Sequence, residues 1–483
     1  MKDLLLTPDP AIKPAFVRIA AAIREAITSD QVRANESLPS ARKLAEQLKT
    51  NRHTIMAAYQ ELIAQGWVTS KQRQGYRVAA DLPVQGSRKI TDSGDLSERT
   101  FHWSINSTPQ VPDGSMKALD FSYNFAGGLP DIENFPFQEF KSYMSDSLTR
   151  PDIFGLGYGN NNGDGLFIEQ VTTYLRRARG ITDKEIIAVN GSQEALYLIS
   201  RLLLKPGDKV AVESLGYRPA WNAFKTAGAE LLAIRQHKTG IDIRQLESLF
   251  KQHQVRLIYL TPLHQYPTTV TLPITERLAV YRLAAEYNVA IIEDDYDHEY
   301  HYQSQPLTPM AANDPLGLVI YLSTFSKIMF PGARIGFIAV DKSLAADFLN
   351  YRSIVNHKPN VLMQAAIGRW MEDGALERHL RRTGKKYRQR RDNLVKQLNN
   401  YRQQGIALDF HQPAGGMALW LDIKQEAAEI EAYAKARDVF LLGESHFHLL
   451  PENNENRYIR LGFAAMDEEK LNLGLARVFR YFS

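Results

Sequence analysis

The sequence predicts an α/β protein in two unequal parts: a small N-terminal winged helix-turn-helix unit and a large unit on a mainly parallel sheet. Three observations carry that expectation. Apolar residues recur at helical spacing as far as Gly66 and give way to a short alternating hairpin. From about residue 119, compact apolar runs alternate with amphipathic stretches, the pattern of strands and covering helices. A chain of 483 residues with 44% hydrophobic composition also exceeds one ordinary domain.

Composition narrows the class further. The chain has no cysteine, which excludes a disulfide framework and thiolate metal sites and fits a reducing compartment. The opening MKDLLLTPDP is too short an apolar run for a signal segment, and no later run approaches a membrane span. A cytoplasmic protein with no membrane partner is therefore expected. The net charge of +4 is unevenly placed: residues 1–80 hold twelve Lys/Arg and seven Asp/Glu, leaving 46 basic and 47 acidic groups elsewhere. An excess of positive charge on one small unit is the electrostatic footprint of a nucleic-acid partner.

The elements of the N-terminal part follow in order. After Pro14, the residues Phe16, Ile19, Ala20, Ile23 and Ile27 form one helical stripe. A second helix follows Pro39, with Ser40 as N-cap and Leu44 and Leu48 facing inward. Asn51 caps a third helix with apolar face Ile55, Ala58, Tyr59, Leu62 and Ile63, ending at Gly66. WVTS and YRVA around KQRQG then read as a hairpin. In a winged helix-turn-helix, the start of the third helix enters the major groove, which exposes Arg52, His53 and Thr54 to bases. The wing offers Lys71 and Arg73 to phosphates.

Residues 81–118 are polar, with scattered proline, glycine and serine and no sustained period, so a linker is expected between a head at 1–80 and a body at 119–483. In the body, KVAVES, VRLIYLTP, VAIIEDDY, LVIYLSTFSK and ARIGFIAV read as strands, and EALYLISRLLLKPG and TERLAVYRLAAEYN as helices. Ligands of such sheets bind beyond the carboxyl ends of the strands. The residues standing there are Glu213 to Tyr217, His264 to Tyr266, Asp294 to Tyr296 and Ser323 to Lys327.

That set has a definite chemistry. Lys327 is the amine, and in a desolvated pocket its pKa would fall and make it a nucleophile towards an aldehyde. Asp294 can hold a pyridinium proton and Tyr296 can hydrogen-bond a phenolate oxygen. Gly191, Ser192 and Gln193 open a helix whose free N–H groups suit a phosphate, with Thr324, Ser326 and Arg334 completing the cup. An aldehyde carrier with pyridine nitrogen, phenolate and phosphate is pyridoxal 5′-phosphate, with Lys327 forming the Schiff base. The basic run RHLRRTGKKYRQRRDNL reads separately, as a long helix with one cationic solvated face, the alternative being a second DNA-contacting surface.

Motifs in both parts resemble known families. LPSARKLAEQLKTNRHTIMAAYQELIAQGWV followed by QGYRV resembles the N-terminal domain of GntR-type bacterial regulators. That resemblance implies DNA contacts from Arg42, Arg52 and Thr54, and a wing turn at Gly75. The block Phe121–Ser483 resembles the fold-type I, pyridoxal-phosphate-dependent aminotransferases. By that resemblance Tyr217 in ESLGYRPA stacks on the cofactor ring, and Arg460 in YIRLGFA binds a substrate or effector carboxylate. The joint arrangement, with TPLHQYPTTVTLP, EDDYDHEY, RRTGKKYRQRRDNL and PAGGMALWL, resembles the MocR subfamily of GntR-type transcriptional regulators.

What this implies is a homodimeric regulator that binds an operator on double-stranded DNA. Its body would sense pyridoxal phosphate, or an amine or amino acid that forms an aldimine with it. The alternative is a working aminotransferase with an accessory DNA-binding head. Departures from the family bear on that choice: Thr269 stands where glycine is usual, Phe167 where arginine is common and Ala418 where histidine is frequent. Tyr266-Pro267 stands where the enzymes carry an asparagine-proline pair that braces the cofactor, which favours a sensor over efficient transamination.

Overall fold

A computed structural model of the protein describes residues 6, 8–9, 11–71, 75–83, 102–104, 120–157, 159–302, 307–450 and 456–482, the side chain of Lys71 excepted. The chain divides into two compact units, Met1–Asn106 and Ser107–Ser483. The linker expected over 81–118 lies outside the described residues apart from 81–83 and 102–104.

The first unit holds α1 (Ala15–Thr28), α2 (Ala41–Gln47), α3 (Arg52–Ala64) and an antiparallel hairpin of β1 (Val68–Lys71) with β2 (Gly75–Val78). Its helix starts are fixed by the side chains the sequence offers. Ser40 Oγ accepts from the Lys43 N–H at 3.3 Å and Asn51 Oδ1 from the His53 N–H at 2.8 Å; caps of this kind stabilise by about 1 kcal/mol each. Ile19, Ile23, Ile27, Leu44, Ile55, Tyr59 and Leu62 form one buried core, with Phe16, Leu48 and Ile63 half-buried at its margin. Tyr59 ties the unit together. Its hydroxyl donates to the Pro39 carbonyl at 2.7 Å, and its ring stacks on Tyr76 of the wing with centroids 4.2 Å apart. Gly66 at φ +77° ends the turn after α3, and Gly75 at φ +79° begins β2.

The second unit begins with β3 (Tyr123–Asn124). Its main sheet contains β4 (Glu185–Val189), β5 (Lys209–Glu213) and β6 (Glu230–Ile234); a two-residue hairpin, β7 (Gln236–His237) with β8 (Gly240–Ile241), stands apart. The sheet continues with β9 (Val255–Leu260), β10 (Ala290–Asp294), β11 (Val319–Thr324) and β12 (Gly336–Val340). The seven strands run in the order β4-β12-β11-β10-β9-β5-β6. Nearly continuous Val, Ile, Leu and Ala along them reflects burial on both faces, under helices such as Ser192–Leu203 and Ile274–Tyr287. All pairs are parallel except those of β12, which is antiparallel to both β11 and β4. Only Phe325–Ile335 separates β11 from β12, too few residues for the crossover that a parallel pair needs. That short return is the segment that carries Lys327.

A second, antiparallel sheet contains β13 (Asp409–Phe410), β14 (Ala418–Asp422), β16 (Leu442–Gly443) and β17 (Tyr458–Gly462), while β15 (Val439–Phe440) pairs in parallel with β3. The basic run lies in one 29-residue helix, Ala375–Gln403. Arg378, Arg381, Arg382, Lys385 and Arg388 form the exposed stripe that the sequence predicts. Arg390 and Arg391 depart from it: both are buried, Arg390 on Asp131 at 2.6 Å and Arg391 on the Pro413 carbonyl at 2.9 Å. Among the described residues no helix is long and apolar enough to cross a membrane.

Candidate functional site

β11, β10, β9 and β5 lie side by side and parallel, so their carboxyl ends share the sheet edge at which β11 runs into Lys327. At the end of β11, Thr324 Oγ1 accepts from the Ser326 N–H at 3.2 Å and turns the chain into a short 3-10 turn, Phe325–Lys327. Lys327 Nζ donates to the Gly128 carbonyl at 2.6 Å. Part of its surface stays accessible, yet the surrounding protein removes enough water to push the amine down to about 8. Asp297 and Asp294 oppose that shift and Arg460 reinforces it.

Asp294 ends β10 and is buried. Burial pushes its carboxyl up to about 7. One oxygen, Oδ2, accepts from the Tyr259 hydroxyl at 2.7 Å, and the other, Oδ1, has no protein partner. The next residue, Asp295, has the opposite character: it is ion-paired with Arg179 and accepts from the Tyr321 hydroxyl at 2.6 Å. Burial alone would raise it, but Arg179 and then His298 hold it well below the usual carboxylate range. Asp294 thus keeps a buried acceptor oxygen for a ligand, whereas Asp295 is committed to an ion pair.

Gly191, at φ +81°, precedes the helix Ser192–Leu203. The Arg334 guanidinium lies 3.1–3.2 Å from where a Cβ of residue 191 would sit, so glycine fits there at the least displacement of Arg334. Arg334 Nη2 donates to the Asn190 carbonyl at 2.7 Å. The pairings Thr324↔Gly336 and Gly336↔Val189 set the two loops side by side, which brings Thr324, Ser326 and Arg334 to the first turn of that helix. Ser192 is half-buried there. Gln193 is exposed, its amide turned away to the Pro219 carbonyl at 3.2 Å, so its backbone N–H is the group left for an anion.

Tyr217 is half-buried, its ring perpendicular to Tyr266 at 5.5 Å. Tyr296 is placed differently from expectation. Its hydroxyl donates to the His264 carbonyl at 3.0 Å, so the proton expected to serve a phenolate is already committed. Arg460, on β17, is fully buried, with Nε and Nη1 lacking any protein partner. A buried guanidinium with two unmet donors is costly unless an anion arrives to meet them.

Gly127 and Gly128, which the sequence analysis passed over, close this site. Both have positive φ, +79° and +74°. A Cβ on Gly127 would lie 2.6 Å from Arg460 Nε, and one on Gly128 would lie 3.3 Å from Lys327 Nζ. The doublet in FAGGLP was the available signal, being a place where backbone approaches other groups closely. A second omission is the buried pair of His264 and Asp297, Nδ1 to Oδ1 2.7 Å. Burial pulls that imidazole down, but the Asp297 carboxylate outweighs it and the net shift is upward. Thr269, where the resembling family has glycine, sits at φ +62°, a backbone that glycine adopts without strain.

In the head, Arg52 opens α3 with His53 beside it, both exposed, and Thr54 is half-buried. The Arg42 side chain is 83% exposed, with Nε 3.3 Å from Glu46 Oε1. Arg73 and the side chain of Lys71 lie outside the described residues.

Comparison with known proteins identifies the families of the two parts. The family model of aminotransferase class I and II matches residues 154–478, and that of bacterial regulatory proteins of the gntR family matches residues 16–78. The probable rhizopine catabolism regulatory protein MocR of Rhizobium meliloti is 28% identical over 98% of this chain and 94% of its own length. Aromatic-amino-acid aminotransferase 1 of Thermococcus litoralis is 30% identical over 74% of this chain and 86% of its own. The crystal structure of Pyrococcus horikoshii kynurenine aminotransferase, in complex with PMP, superposes with a TM-score of 0.69 at 28% identity, covering 75% of this chain and 92% of that one.

The chain belongs to the aminotransferase class I and II family and has the MocR arrangement, a gntR-type head before an aminotransferase-like body. Its site fits pyridoxal phosphate: an unpartnered Asp294 oxygen for the ring nitrogen, an amine with lowered pKa for the aldehyde, and a helix N-terminus with Arg334 for the phosphate.

Proposed function

We propose that this protein is a pyridoxal-phosphate-dependent transcriptional regulator whose head, residues 1–80, binds an operator and whose body, residues 119–483, senses an amine or amino acid. Pyridoxal phosphate supplies an aldehyde that condenses with amines. The chain's own residues do the rest. Lys327 presents an amine near neutrality, Asp294 accepts a hydrogen bond from the protonated ring nitrogen, and Tyr217 covers the ring. Gly191, Ser192, Gln193, Thr324, Ser326 and Arg334 take the phosphate, and Arg460 receives the effector carboxylate. Arg52, His53 and Thr54 serve base edges, Lys71 and Arg73 of the wing serve phosphates, and Arg42 is a further DNA contact. The protein acts in the cytoplasm as a homodimer with two heads.

The observation that carries this reading is the coexistence of a complete head with a site holding Lys327, Asp294 and an anion-ready Arg460. A second reading, slow transamination by the same site, rests on the unaltered Lys327 and Asp294. The two separate in one experiment on the cofactor-loaded chain. Amino acids are titrated with a keto-acid acceptor while keto-acid release and binding to DNA selected from a random pool are followed together. The regulator reading expects DNA affinity to shift with at most slow release; sustained turnover with unchanged DNA affinity would refute it.

A further inference from the structure

The proposed effector site has a part that the family pattern does not supply. Tyr266, at the position where the enzymes carry asparagine, lays its ring under Arg460, with the guanidinium carbon 4.4 Å from the ring centroid. No described acid makes an ion pair with Arg460, and its Nε and Nη1 have no partner. Tyr266 is itself held firmly. Its N–H donates to Thr261 Oγ1 at 2.9 Å, and its carbonyl accepts from Gln265 Nε2 at 2.5 Å. Its ring stands perpendicular to Tyr217, Tyr296 and Phe447 at 5.5, 6.2 and 5.5 Å. Gly127 closes in on the same guanidinium, leaving no room for a Cβ.

We infer that Tyr266 is a positioning residue. Its ring face holds the Arg460 guanidinium in one orientation through a cation–π contact, which makes the site selective for amines bearing a carboxylate over plain amines. A guanidinium without an acid partner would otherwise turn among orientations, and a carboxylate would lose affinity by ordering it. A ring face compensates part of the charge without occupying the in-plane N–H donors, which remain for the ligand. Asparagine, with its own acceptor and donors, would compete for those N–H groups. This inference rests on the reading that Arg460 receives the effector carboxylate.

The test compares L-alanine with ethylamine, which differ only by the carboxylate, by calorimetry on the cofactor-loaded full chain. Melting temperature and cofactor absorbance serve as controls for folding and loading. The native protein should prefer L-alanine. Tyr266→Phe, which keeps the ring, should hold that preference within about twofold. Tyr266→Leu, which keeps bulk without a ring face, should lose about fivefold to thirtyfold of it, with ethylamine binding unchanged. Gly127→Ala, which presses on Arg460 from the loop, should lower the preference independently should the leucine variant fail to fold. A leucine variant with undiminished preference, or a phenylalanine variant as impaired as leucine, would overturn the positioning role. A native protein that shows no preference, or binds neither compound, would instead overturn the assignment of Arg460.

Discussion

The head and the body carry their working charges in opposite surroundings. In the head, Arg42, Arg52 and His53 stand in water, and the ion pair of Arg42 with Glu46 is exposed. In the body, Arg460, Asp294 and His264 are buried and Lys327 is desolvated. Exposed charges act through long-range attraction, which salt screens. Buried charges are shielded from salt and respond to the arrival of one complementary group, and Asp294 and Lys327 also shift their pKa and so respond to pH. One chain therefore has two electrostatic modes. The head should answer to ionic strength and the body to ligand and proton.

The largest effect expected of any single change falls on the body. Lys327→Ala should abolish covalent attachment of the cofactor. Borohydride reduction followed by peptide mass analysis should find the cofactor mass on the peptide containing residue 327 in the native protein and nowhere in the variant. Next comes Arg460→Gln, which removes the charge but keeps donors. It should weaken amino-acid binding by about 2–5 kcal/mol, as for a buried charge pair deprived of one member. Plain amines should bind it as before, and calorimetry with both ligand types checks this.

The pH response sharpens the contrast. Asp294 sits at about 7 in the folded chain, above the ordinary carboxylate value. Between about pH 4 and 7 the cofactor-free folded state thus holds a proton that the unfolded chain has released, and this group's contribution falls as pH rises through that window. Asp294→Asn should remove the penalty, raising stability without cofactor by up to roughly 4 kcal/mol at pH 8 and by almost nothing near pH 4. Melting curves at both pH values would show it, and the same variant should bind cofactor less tightly. Lys327, at about 8 against an ordinary 10.5, works in the opposite sense: stability rises with pH across the interval between them.

The smallest effect belongs to the head. Arg52→Ala should cost about 1–3 kcal/mol of operator affinity and relax specificity at one base position. Its pH dependence should match that of the native protein, and the loss should appear in binding-site selection. Equal affinity and selectivity would mean that another element reads the DNA.

Much of this was readable from the sequence because it depends on local periodicity. Ile19, Ile23 and Ile27 announce α1 by their spacing, Ser40 and Asn51 announce the starts of α2 and α3, and the runs before Asp294 and Lys327 mark strand ends. What stayed hidden depends on contacts across long stretches of chain. Gly128 meets Lys327 from the loop after a two-residue strand, where there is no period to read. His264 finds Asp297 only because β9 and β10 lie side by side. Arg390 and Arg391 follow the buried face of their helix, on from Thr383 and Tyr387, but their charge concealed a position that helical spacing alone would have turned inward. The proton of Tyr296 could not be assigned until its neighbour's carbonyl was placed.

In the function proposed, a ligand in the buried site of the body alters the affinity of the exposed head for DNA, and that coupling carries all the rest. It is tested most directly by measuring operator affinity at fixed salt as amino-acid concentration rises, with cofactor-loaded and cofactor-free protein in parallel. A ligand can shift DNA binding only by its difference in affinity for two conformations of the protein, typically about 1–3 kcal/mol. A shift of that size is expected with the loaded protein and none without cofactor. An operator affinity that stays constant in the loaded protein, or that moves equally in both, would contradict it.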